Sequence, residues 1–85
     1  MNASMLLRHA EAIVRGRRVD YGDPAIFFEA VAKRWSLTLG VPITPRRVVL
    51  CLLDLKHQRL AHDPAHADSI ADTAGYAAIL SELER

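Results

Sequence analysis

The stretch TPRRVVLCLLDLKHQRL, residues 44–60, decides the fold. Its run from Val48 to Leu55 is rich enough in Val and Leu to read as a buried strand. Pro45 ahead of it, and leucines at 52, 55 and 60, favour a helix over about 45–61 instead. Val48, Val49, Leu50, Cys51, Leu52, Leu53 and Leu55 leave that helix apolar almost all round, so it must be covered on more than one side. Cys51 is expected among the buried leucines as a small core hydrophobe.

Working outward, the Thr44-Pro45 start recurs as Asp23-Pro24 and Asp63-Pro64. In each, a capping oxygen precedes a proline whose missing N–H had no partner in the first turn of a helix. Helices are therefore expected over about 24–39, stopping at Gly40, and over about 64–84. A fourth opens the chain, capped by Asn2 or Ser4, with Met5, Leu6, Ala10, Ile13 and Val14 on one stripe and Gly16 at its end. Arg17–Asp23 and Gly40–Ile43 read as short loops, and Trp35 as a core residue. Ala67, Ala71, Ala74, Gly75 and Ala78 let another backbone come close, which places the last helix against the third as an antiparallel hairpin turning at His62 and Asp63. The expected architecture is all-α, a four-helix, bundle-like single domain over residues 1–85.

Eighty-five residues bury enough apolar surface only to about balance the entropy of ordering the chain. The single Cys51 cannot staple it from within, so a homodimer through the third helix, with Leu52 and Leu55 in the seam, is the expected source of further stability. The lone cysteine suits a reducing cytoplasm, and no apolar run reaches the length of a membrane span or a signal-peptide core. The net charge of +1 argues against a dedicated nucleic-acid binder. That total hides an asymmetry: residues 1–59 carry ten Lys/Arg against five Asp/Glu, whereas residues 60–85 carry Arg85 against Asp63, Asp68, Asp72, Glu82 and Glu84. Either the acidic end packs on basic neighbours, or the basic part holds an anion.

Candidate chemistry concentrates on the last two helices. Asp68, Asp72 and Tyr76 succeed one another at i, i+4, and Lys56 and Arg59 lie three apart near the end of the third helix. Across the hairpin these groups read in two ways. As structure they are an ion-pair cluster that sets helix register. As a site, Lys56 and Arg59 hold a phosphate while Asp68 and Asp72 hold Mg²⁺, or a base or sugar hydroxyl. Tyr21-Gly22 is either a turn or a lid on that site. His57, His62 and His66 lack the spacing of a metal helix. No nucleophile–base pair or Gly-rich phosphate loop is present in the sequence.

Asp20-Tyr21-Gly22, Phe28, Trp35, Thr44-Pro45, Lys56-x-x-Arg59, His66-x-Asp68-Ser69 and Asp72-x-x-Gly75-Tyr76 together resemble a family of small tailed-phage and prophage proteins classed as a domain of unknown function. More distantly, the half from Lys56 to Tyr76 resembles the nucleotide modification associated domain of phages and the MazG-type all-α NTP pyrophosphohydrolases. The resemblance implies a helical, oligomeric protein in the cytoplasm of a bacterial host, linked to nucleotides. MazG-type enzymes hold Mg²⁺ with Glu-x-x-Glu on one helix and Glu-x-x-Asp on the next. Here the third helix offers only Asp54 and the fourth Asp68 and Asp72, a set incomplete for turnover unless Glu82, Glu84 or a second subunit contributes. Two functions are therefore expected: a protein binding a nucleotide or nucleotide derivative without efficient turnover, or a small helical protein that binds and inhibits a host or defence protein through Arg15, Arg17, Arg18, Arg46 and Arg47.

Overall fold

A computed structural model describes residues 1–83, and among them every regular element is helical: α1 (Ala3–Tyr21), α2 (Pro24–Leu39), α3 (Pro45–His62) and α4 (Ala67–Leu80). Two of the three proline starts hold. Asp23 Oδ1 accepts from the Ala25 N–H at 3.0 Å, and Thr44 Oγ1 from the Arg47 N–H at 3.2 Å. At α1, Asn2 Oδ1 accepts from the Met5 N–H at 2.9 Å.

The third start is displaced. Asp63 spends its carboxylate on a local turn, accepting from the Ala65 N–H at 3.3 Å, and α4 begins only after His66. There the imidazole Nδ1 caps the helix by accepting from the Ser69 N–H at 3.3 Å, with the buried Ser69 hydroxyl 2.7 Å away. Helix α4 ends at Leu80, short of the expected 84, and a turn carries Leu83 back into the core. Glu84 lies outside the described residues.

Gly16 does not end α1. A glycine inside a helix costs about 1 kcal/mol relative to alanine, but the next turn carries Arg17 and Arg18, whose ion pairs to Asp72 and Glu82 hold it in place. The helix stops instead at Gly22, whose φ of 80° only glycine adopts freely and whose N–H reaches Arg18 O at 2.9 Å. The expected loop from Arg17 is thus helical as far as Tyr21.

Helices α3 and α4 lie in the middle of the molecule, with α1 on α4 and α2 on α3. The core is Phe28, Ala32, Val48, Val49, Ile79 and Leu83, bordered by half-buried Trp35, Ile43, Leu52 and Tyr76. Ser36 locks the α2–α3 connection, its hydroxyl donating to Ala32 O at 2.7 Å and accepting from the Ile43 N–H at 2.9 Å. Val48, Val49 and Leu52 turn α3 inward. A helix rotates about 100° per residue, so Leu50 and Cys51 turn away from that face, whereas Leu55, two turns beyond Val48, stays near its stripe but lies further along the helix. Cys51 is exposed, contrary to the expectation that it is buried, and Leu55 is 62% exposed. The small residues of α4 serve α1 as well as α3: a side chain grown at Gly75 would meet Val14 Cγ2 at 3.5 Å.

Candidate functional site

The carboxylate of Asp72, on the second turn of α4, gathers the charges. Its Oδ2 lies 2.9 Å from Lys56 Nζ and its Oδ1 accepts from Arg17 Nη2 at 3.4 Å. Lys56 and Asp72 keep only 18% and 13% of their side-chain surface, whereas Arg17 keeps 43%. The Arg17 guanidinium also lies 5.7 Å from the centre of the Tyr76 ring, one turn further along α4, at cation–π distance. Next to it on α1, Arg18 donates to both oxygens of Glu82, at 2.6 and 2.7 Å.

Beside this cluster is a cavity of about 300 Å³ between the end of α1, the start of α2 and the core-facing side chains Leu52 of α3 and Tyr76 and Ile79 of α4. Val14, Pro24, Phe28, Leu52 and Ile79 form its apolar floor. Arg17, Arg18, Tyr21, Gly22, Phe27 and Tyr76 form its rim. The rim aromatics support one another, with Tyr21 and Phe27 centred 5.5 Å apart and Phe27 edge-on to Phe28 at 5.2 Å. A slot of this size with an apolar floor, aromatic sides and guanidinium groups at its mouth suits a flat, anionic small molecule.

The fold therefore divides the residues singled out in the sequence. Lys56, Asp72, Tyr76, Tyr21 and Gly22 come together around Arg17. Arg59 instead lines a shallow depression at the α3–α4 turn with Gln58, His62, Asp63 and His66, and Asp68 stands exposed in the first turn of α4. Among the described residues no three His, Cys, Asp or Glu side chains converge as metal ligands. Both oxygens of Asp72 already face cations, which leaves it a poor partner for a divalent ion.

Arg17, Arg18 and Phe27 were missing from the sequence reading of the site. The signal that finds them is the α1 periodicity carried past Gly16, because Val14, Arg17, Arg18 and Tyr21 then share one face. Charge also resolves: the basic segment Arg15–Arg18 is answered by Glu11, Asp72 and Glu82, and Arg46 donates to Leu80 O at 3.1 Å. The acidic end of the chain thus packs on basic neighbours of the same molecule. No helix of the described residues is long and apolar enough to cross a membrane.

Comparison with known proteins gives the chain's family. Over 81 residues the chain is 36% identical to the Gene 55 protein of Mycobacterium phage L5, an alignment that takes in 93% of this chain and 52% of the relative. The chain therefore spans about half the length of the phage protein it matches. No solved structure matches it. The family model for a domain of unknown function, DUF6378, covers residues 5–84, nearly the whole of the four-helix unit, and the chain belongs to that family.

Proposed function

We propose that this chain binds a nucleotide or nucleotide derivative, without efficient turnover, in the cavity rimmed by Arg17, Arg18, Tyr21, Gly22, Phe27 and Tyr76. The observation that carries the reading is Arg17, held by Asp72 against the Tyr76 face at the mouth of an apolar, aromatic-sided slot. A base would stack against the rim rings and a phosphate would meet Arg17, whose contact with Asp72 is long at 3.4 Å, while Arg18 is held by both oxygens of Glu82. Lys56 positions Asp72 and so Arg17, Tyr21-Gly22 forms the lip, and Arg59 and Asp68 stay outside the slot. No step is routed through Mg²⁺, since Asp72 is engaged by Lys56 and Arg17. The resemblance read in the Lys56–Tyr76 half of the sequence, to the nucleotide modification associated domain and MazG-type enzymes, is in keeping with this proposal. The reading includes the expected α3–α4 hairpin, which is supported by Lys56 meeting Asp72 and Arg46 meeting Leu80.

Calorimetric titration with mono-, di-, tri- and cyclic nucleotides, with and without Mg²⁺, tests the reading. Heat is expected with at least one of them, and Tyr21→Ala, at a side chain 64% exposed, should weaken it while leaving the melting temperature within about 2 °C. No heat with any nucleotide refutes it.

A second reading, a helical protein that binds and inhibits a host or defence protein, is favoured by α2. Ile26, Leu37 and Leu39 stand 69%, 86% and 60% exposed on it, apolar side chains that a protein partner would cover.

A further inference from the structure

We propose that the uncovered outer face of α3 is where a second copy of this chain docks. Two antiparallel α3 helices would cross at Leu50 and Cys51, with Arg47 of each protomer against Asp54 of the other. The first support is area. The chain exposes 6177 Å², whereas a compact monomer of its 9.4 kDa exposes about 5,000 Å². Its radius of gyration of 13.6 Å likewise exceeds the about 12 Å of a compact chain of this length. The surplus, a property of the whole chain, is of the order that a stable interface takes from each partner, about 800 Å², and so supports association without itself choosing the face.

The second support is self-complementarity. A two-fold axis places the same patch on both sides, so the patch must match its own image. Over the first eleven residues of α3, positions 45–55, the exposed ones are Arg47, Leu50, Cys51, Asp54 and Leu55. Arg47 and Asp54 are two turns apart with the apolar pair midway between them. Neither has an ion-pair partner among the described residues, although the other arginines named for the basic surface do have polar partners. An antiparallel crossing with its axis between Leu50 and Cys51 sets Leu50 on the partner's Cys51 and forms the Arg47–Asp54 pair twice. The inner face of α3, with Val48, Val49 and Leu52, stays in the protomer's own core.

Sedimentation velocity on the whole chain, at protein concentrations from about 1 to 100 μM, reads the association. The expected result is a monomer–dimer equilibrium. Arg47→Asp or Asp54→Arg alone should raise the dissociation constant at least about tenfold by setting like charges together twice, and the double variant R47D/D54R should recover most of it. Both positions are exposed, so the helical circular dichroism of each variant should match the parent. Mild oxidation should link wild-type protomers through Cys51 near the axis, and Arg47→Asp should suppress that link. A monomer throughout the range overturns the proposal. So does a dimer that ignores both charge reversals, or one whose double variant fails to recover.

Discussion

Replacing Asp72 by Asn tests whether its contacts hold the molecule together. Lys56 and Asp72 sit 2.9 Å apart with most of their side-chain surface removed from water, and Arg17 approaches the same carboxylate at 3.4 Å from a more exposed position. At an effective dielectric of about 20 the Lys56 contact is a gross attraction of about 6 kcal/mol, most of it offset by the desolvation of both groups. Removing one charge leaves the ammonium of Lys56 half-buried without its counter-ion. Breaking a fully buried pair costs about 3–5 kcal/mol and an exposed one about 0–1. Because Asn keeps an acceptor oxygen, the expected loss is about 2 kcal/mol, or about 8–16 °C in melting temperature for a domain of this size.

Asp68→Asn changes the same functional group one turn away, at an exposed position. It loses only the favourable placement of a carboxylate at a helix N-terminus, about 0.5 kcal/mol. Urea melts followed by circular dichroism separate the two. Adding Lys56→Met to Asp72→Asn should return about half of the loss, since no uncompensated ammonium then remains. Equal effects of Asp72→Asn and Asp68→Asn, within about 0.5 kcal/mol, would refute the claim that Asp72 ties α1, α3 and α4 together.

Gly16→Ala should raise stability by about 0.8–1 kcal/mol, because Gly16 lies inside α1 with nothing within 4 Å of an added methyl group. Gly22→Ala should lower it, because its φ of 80° disfavours any side chain; thermal melts of the two variants should move in opposite directions. Leu52→Asp should unfold the chain by placing a charge against the core, while Leu55→Asp, at a side chain 62% exposed, should leave the helical signal intact and affect only association. Circular dichroism and sedimentation read these two effects separately.

Helix starts at Asn2, Asp23 and Thr44 were legible because they depend on local hydrogen bonds between a capping side chain and N–H groups two or three residues on. The helical character of residues 45–61, the stop at Gly40 and the split of charge between the two ends were legible for the same reason: neighbouring residues settle them. Two features, the length of α1 and the outward face of Cys51, were decided by partners far along the chain, and a third, the start of α4, by a competition between two neighbouring caps. Helix α1 continues past Gly16 because Arg17 and Arg18 find Asp72 and Glu82, 55 and 64 residues away. Helix α4 waits for His66 because Ser69 is buried beneath the imidazole while Asp63 closes a turn of its own. Cys51 faces outward because α2 and α4 both take the Val48–Val49 side of α3, a choice that an all-round apolar helix leaves open. The candidate site follows the same division. Lys56, Asp72 and Tyr76 could be named from spacing within their own helices, and Tyr21 from its place beside Gly22 in an expected loop. Arg17, which joins them, becomes part of the site only when tertiary packing brings α1 against α4.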